Sequence, residues 1–147
     1  MNRDFVEMLS ALSAAGVEFL IVGAHALGAH GKVRATGDLD IWVNAAPENA
    51  PRVLKALNAF GAPLFDLTVA DLTKNDTVFQ IGQEPCRIDI LTGITGVTWN
   101  EAWMNRLNIE IEGISLSVLG RDEFVKNKRA VGRPKDRIDL ELLGDGS

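Results

Sequence analysis

The sequence predicts an α/β (α+β) fold, a mixed β-sheet with helices packed mainly on one side. Three observations lead there. Apolar spacing switches repeatedly between the period of a helix and that of a strand. The elements run helix, strand, helix, strand, helix, strand, strand, then a hairpin and two helices, an order that layers helices on a sheet. The chain has 147 residues, a length that suits one domain over 1–147 and buries roughly two thirds of the surface its unfolded form exposes.

Each element has its own signal. Phe5, Met8, Leu9 and Leu12 recur at helical spacing, and Gly16 follows as a stop. Phe19-Leu20-Ile21-Val22 reads as a short strand buried on both faces, ending at Gly23, and Ala24 to His30 as a short helix closed by Gly31. Leu39-Asp40-Ile41-Trp42-Val43 is the next strand. Pro47 and Pro51 suit the approach and first turn of a helix carrying Val53, Leu54, Leu57 and Phe60 to Gly61. Val78 to Ile81 and Arg87 to Leu91 read as strands joined by a turn over Gly82 to Pro85. A short Trp99 to Trp103 helix precedes a hairpin, whose arms Leu107-Ile109-Ile111 and Ile114-Leu116-Val118 alternate about Glu112-Gly113. Helices over Asp122 to Ala130 and Pro134 to Leu143 finish the chain, closing over whatever site the sheet carries. No internal repeat, low-complexity tract or heptad seam interrupts this pattern.

Composition excludes several classes. A single cysteine, Cys86, permits no intrachain disulfide and no cysteine-based metal cluster. Two histidines are too few for an ordinary structural zinc site. No apolar run approaches the roughly 20 residues of a membrane span. Met1-Asn2-Arg3-Asp4-Phe5 is polar where a signal peptide would be basic and then apolar. The expectation is a soluble cytoplasmic protein with no membrane association. The net charge of −5 argues against a broad nucleic-acid-binding surface. The basic residues nevertheless cluster. Between Arg121 and Arg137 stand seven (Arg121, Lys126, Lys128, Arg129, Arg133, Lys135, Arg137) against three acids (Asp122, Glu123, Asp136), a local excess of four that suits a discrete anion site.

Chemistry concentrates at Asp38-Leu39-Asp40. Residues i and i+2 of a strand share a face, so Asp38 and Asp40 aim into one space while Leu39 and Ile41 face the core. Two carboxylates that close repel and raise each other's proton affinity unless a cation lies between them. Hard oxygen ligands at this spacing suit Mg²⁺. Asp-x-Asp alone is a weak signal and more often marks a solvated acidic strand end. A further acid, Asp89, stands in Arg87-Ile88-Asp89-Ile90-Leu91 between apolar neighbours, where a carboxylate is unusual unless it faces a polar site. Three carboxylates on neighbouring strands could hold two metals about 4 Å apart for in-line phosphoryl displacement. Upstream, a strand followed by Gly23 and a helix aims backbone N–H groups at an anion, although on its own the turn equally reads as tight packing.

The run Gly23-Ala24, His30-Gly31, Arg34, Thr36, Asp38-Leu39-Asp40, followed by Arg87-Ile88-Asp89, resembles the polymerase-β-like nucleotidyltransferase superfamily. The tail Lys128, Gly132-Arg133-Pro134-Lys135-Asp136, Asp139-Leu140 is similar to the branch of abortive-infection-type toxin nucleotidyltransferases and related small bacterial proteins. The resemblance implies that Asp38, Asp40 and Asp89 are catalytic acids and ligands of Mg²⁺ or Mn²⁺, with Asp89 also placed to orient or deprotonate an attacking hydroxyl. It implies that Gly23, Ala24, Arg34, Thr36, Lys128, Arg133 and Lys135 bind a nucleoside triphosphate or its acceptor. The acceptor would be an RNA end or a protein side chain, and an antitoxin would be a partner. One departure stands out: the superfamily turn is commonly Gly-Ser, and Gly23-Ala24 lacks the hydroxyl, leaving backbone N–H groups to serve. A catalytically silent module that binds nucleotide or a partner protein is the rival reading.

Other polar residues carry structural alternatives. Arg34 reads equally as a substrate contact or a partner of Asp38 or Asp40, and Thr36 as a turn cap. His25 and His30, five apart on a short helix, do not share a face well. Trp42, Trp99 and Trp103 read as core, with Trp99 and Trp103 on one helix face. Asp136 and Asp139 stabilise the start of the last helix or pair with Arg133 and Arg137. Cys86 reads as a small buried apolar residue.

Overall fold

The computed structural model describes residues 2–31, 37–83 and 86–144. Helix α1 (Arg3–Ala14) starts where the Asn2 side chain accepts from the Asp4 N–H at 2.7 Å, and it buries Phe5, Val6, Met8, Leu9 and Leu12. Strand β1 (Phe19–Val22) is buried throughout and runs directly into α2 (Gly23–Ala29). β2 (Leu39–Val43) is followed by α3 (Ala50–Phe60), which has proline in its first turn and ends at Gly61 with φ +94°. The proline suits that position because its missing N–H has no partner there in any case. β3 (Val78–Ile81) and β4 (Ile88–Leu91) precede α5 (Trp99–Met104). β5 (Leu107–Ile111) and β6 (Ile114–Val118) form the expected hairpin. Its two central residues, Glu112 (φ 49°) and Gly113 (φ 80°), both lie in the left-handed region, as the favoured two-residue hairpin turn requires. α6 (Arg121–Val131) and α7 (Pro134–Leu142) pack on each other.

The six strands form one mixed sheet in the order β3-β4-β2-β1-β6-β5. β1 lies antiparallel to β2 and parallel to β6, and β2 lies parallel to β4. Leu39, Ile41 and Val43 of β2 are fully buried in a core shared with α1 and α3, which pack on each other. Burying each such side chain contributes roughly 1.5–3 kcal/mol. Two pairings fix the site. The register opposes Asp40 to Asp89 across β2 and β4, and opposes Val22 to Asp40 across β1 and β2. The turn after β1 therefore meets the acids at one end of the strands.

Three details differ from the sequence expectation. A short helix, α4 (Val69–Leu72), stands in a stretch to which the sequence reading assigns no element; Thr68 accepts from the Asp71 N–H and Asp71 from the Thr68 N–H, a reciprocal cap. Cys86 is exposed rather than buried, because it lies in the connection between β3 and β4 outside the sheet. Arg87 precedes β4 instead of belonging to it. The expected turn over Gly82 to Pro85 falls partly outside the described residues. Among the described residues, no helix is long and apolar enough to cross a membrane.

On the Asp40 side of β2, Trp42 is buried and meets Trp99 of α5 edge to face, ring centres 5.1 Å apart. Trp99 stacks on Trp103 at 5.3 Å, and the Arg106 guanidinium covers Trp103 at 4.0 Å. The three tryptophans are thus packing residues, as their spacing suggests.

Candidate active site

Asp38, Asp40 and Asp89 line one cavity of about 370 Å³ with Gly23 and Ala24 from the β1–α2 junction. Arg87, Lys128, Arg133 and Lys135 complete its wall. Every described residue expected at the site is therefore brought to one place. Arg34 and Thr36 lie outside the described residues, and their expected roles rest on the sequence alone. A larger cavity of about 600 Å³, walled by Trp42, Asn44, Asn75 and Trp99, lies beyond the opposite end of β2. Its wall holds no charged residue among those described, and Asn44 and Thr92 spend their polar atoms on internal hydrogen bonds. The charged residues gather instead in the smaller cavity.

Gly23 explains how the turn and the acids come so close. It has φ +70°, and a Cβ built there would stand 2.5 Å from Asp40 Oδ2. Gly23→Ala should destabilise the fold by about 1–3 kcal/mol, from left-handed backbone strain together with displacement of Asp40. A urea titration of wild type and variant checks it; a loss below half a kcal/mol would mean that Asp40 is free to move away.

The acids are not equivalent. Asp89 is buried, and its oxygens accept from Arg87 Nε at 2.7 Å and Nη2 at 3.1 Å. Asp38 lies 3.4 Å from Arg87 Nη2 and accepts from the Arg87 main-chain N–H at 3.1 Å. Asp40 is pushed up to about 6, first by burial, then by the charge of Asp89, a hydrogen bond shared with it and the charge of Asp38; Lys128 offsets part of this. His25, on α2, hydrogen-bonds the Asp38 main chain, and its own pKa is lowered chiefly by burial. His30 bonds through Nε2 to the Leu119 carbonyl at 2.8 Å, a link between α2 and the end of β6.

Behind the acids lies a second buried charge cluster. Lys128 is buried and reaches Asp136 at 3.1 Å and Asp139 at 3.5 Å, both carboxylates being fully inaccessible. Arg133 Nε donates to Asp136 at 2.7 Å and its main-chain N–H donates to the same carboxylate at 3.1 Å. Burial pushes Asp136 up, but Arg133 and Lys128 outweigh it and hold the group down at about 2. Asp136 thus pairs with Arg133, one of the two readings the sequence allows, and shares Lys128 with Asp139. Arg87 also lines the cavity, although the sequence reading assigns it no role there. Its signal was the i, i+2 spacing to Asp89 in an extended segment, which shares a face just as Asp38 and Asp40 do.

The donor set suits a divalent cation chemically. Burial first, and then the neighbouring charges of Asp89 and Asp38, raise the proton affinity of Asp40, and a bound cation would relieve the repulsion among the acids. Among the described residues no three acidic, histidine or cysteine side chains are gathered as a ready metal cage. In this arrangement Arg87 draws Asp38 and Asp89 to itself. An ion held by one or two carboxylates and completed by phosphate oxygens remains compatible with this geometry.

The sequence matches no family model and no curated protein. Solved structures do match. A Thermotoga maritima protein described provisionally as a nucleotidyltransferase superposes with a TM-score of 0.64 at 13% identity, over 99% of this chain and 92% of that one. The lincosamide antibiotic adenylyltransferase LnuA, solved with lincomycin bound, superposes with a TM-score of 0.63 at 10% identity, over 100% and 98% of the two chains. These likenesses establish architecture, over nearly the whole of each chain. The fold of this protein is a nucleotidyltransferase fold.

Proposed function

We propose that the protein is a metal-dependent nucleotidyltransferase, moving a nucleoside monophosphate from a nucleoside triphosphate to a hydroxyl acceptor. The observation that carries this is the single cavity in which three carboxylates face Arg87, Lys128, Arg133 and Lys135. Acids alone would repel a triphosphate and bases alone would not activate a hydroxyl; the combination suits both partners. The acceptor oxygen would bond to the α-phosphorus as the bond to the β-phosphate bridging oxygen breaks, releasing pyrophosphate. The acceptor's proton would pass to a carboxylate, with Asp89 placed to orient or receive it. Gly23 and Ala24 would offer backbone N–H groups to a phosphate, and Lys128, Arg133 and Lys135 would hold the charged tail. Asp38, Asp40 and Asp89 would hold Mg²⁺ or Mn²⁺, which supplies charge neutralisation at the phosphates. Catalysis of this kind is mainly positioning and electrostatic stabilisation.

The acceptor classes supported are an RNA end and a protein side chain from the toxin-like tail. The likeness to LnuA adds a small hydroxylated molecule. An antitoxin partner would follow from the resemblance of the same tail, and a cytoplasmic setting from the composition. The test is incubation of the pure protein with each α-labelled triphosphate, Mg²⁺ or Mn²⁺, and RNA, cell lysate or lincomycin in turn. Label should pass to one acceptor class, and Asp38→Asn should stop it. Mg²⁺ with the preferred triphosphate should also raise the melting temperature, since a ligand bound only by the folded form stabilises it. A melting shift with no transfer to any acceptor would favour the silent binding module, which Ala24 in place of serine supports.

A further inference from the structure

We propose that Arg87 is the specificity-determining counter-ion of the acid cluster, occupying its carboxylates until a divalent cation arrives together with a triphosphate. This rests on the nucleotidyltransferase reading and says how the site would discriminate a loaded cation from a free one. The Arg87 guanidinium grips Asp89 with two nitrogens, at 2.7 and 3.1 Å, and lies 3.4 Å from Asp38. Its main-chain N–H holds the other Asp38 oxygen at 3.1 Å. A planar fork on a carboxylate is among the stronger ion-pair geometries, and this one is only about a quarter exposed on the arginine side.

A hydrated cation alone must displace this fork, and the displaced guanidinium then stands beside a like charge. A cation carried on a triphosphate brings its own negative oxygens, which give the displaced guanidinium new partners. Arg87 therefore penalises the free ion and spares the loaded one. By linkage, the same residue makes nucleotide and cation each strengthen the other's binding.

Calorimetric titration of the full chain with Mn²⁺ alone, and separately with preformed Mn²⁺–ATP, tests the assignment. Wild type should bind Mn²⁺–ATP far more tightly than Mn²⁺. Arg87→Ala should bind Mn²⁺ alone about tenfold more tightly than wild type does, the loss of one charge-assisted contact. Its preference for Mn²⁺–ATP over Mn²⁺ should shrink accordingly. Arg87→Lys, with a point charge and no fork, should fall between. Arg87→Gln, which keeps the side chain's length without its charge, serves as the second variant, with circular dichroism reporting the fold of each. Unchanged or weaker Mn²⁺ binding in the folded Ala and Gln variants, with Mn²⁺–ATP still bound by wild type, would overturn the Arg87 assignment alone. Failure of every form to bind Mn²⁺, alone or with ATP, GTP, CTP or UTP, would overturn the nucleotidyltransferase reading and this inference with it.

Discussion

Replacing Lys128 by alanine should cost about 3–5 kcal/mol of stability, the largest single effect expected of any charged residue here. From sequence alone Lys128 belongs to a basic run suited to an anion site, and an exposed lysine of that kind typically costs within about half a kcal/mol when replaced. The structure reverses this, because Lys128 is buried against two fully inaccessible carboxylates, Asp136 and Asp139. Removing the ammonium leaves two buried negative charges with Arg133 as the neighbouring cation, and desolvated charge short of a partner is expensive. Lys128→Met, which keeps most of the volume, should be nearly as damaging, separating charge from packing. Chemical denaturation of the three forms at neutral pH is the measurement. A loss under 1 kcal/mol would show the cluster to be solvated in solution.

The pH dependence follows from Asp136. Its folded pKa of about 2 lies below the ordinary 3.8, so its contribution is fully present above about 4 and disappears as pH falls through 2. That contribution is about 2 kcal/mol by linkage. Wild type should therefore lose stability on acidification through this window, and Asp136→Asn should lose less.

Asp40→Asn should do two opposite things: abolish transfer and stabilise the fold. Asp40 is pushed up to about 6, so the folded chain binds its proton more tightly than the unfolded chain does. Its ionisation therefore costs stability as pH rises from about 4 to 6, and the full cost persists above that. At pH 7.5 the variant should gain about 1–3 kcal/mol, below the simple linkage value because the site is partly hydrated. The two proteins should converge as pH approaches 4. Transfer, by contrast, should fall on the order of 10²–10³-fold or more with one carboxylate charge gone. Melting curves across pH and a label-transfer assay test the pair of expectations. A variant no more stable than wild type at pH 7.5 would mean that a bound cation or water already relieves the repulsion.

The fold was legible where local chemistry and burial agree. The alternation in Leu39 to Val43 places Asp40 opposite in face to Leu39 and Ile41, and β2 is arranged that way. The hairpin could be read from its apolar alternation alone. Sheet order could not, since placing β1 between β2 and β6 depends on crossovers rather than on any residue's preference. The opposition of Asp40 to Asp89 is likewise a register between segments some fifty residues apart along the sequence. Two misses had available signals. Thr68-Val69-Ala70-Asp71 is a capping-box pattern, overlooked because four helical residues offer too short a period to count. Arg87 shares the extended-chain face of Asp89, yet its pairing with Asp38 comes from a different strand's start. The burial of Asp136 and Asp139 had no such signal. Their spacing on α7 is equally that of an exposed helix start, and only the packing of α7 on α6 encloses them with Lys128.

The column of Trp42, Trp99 and Trp103 has an optical consequence. The chain has three tryptophans and no tyrosine, so nearly all its ultraviolet emission arises from this one column. Trp42 belongs to β2, two residues beyond Asp40, whereas Trp99 and Trp103 ride on α5. Indoles at about 5 Å exchange excitation and produce strong near-ultraviolet dichroism only while their relative orientation is held. Undocking α5 would erase that dichroism and redden the emission, while leaving the other helices' far-ultraviolet signal in place. The protein thus carries an unlabelled gauge of one helix against one strand, two residues along β2 from Asp40.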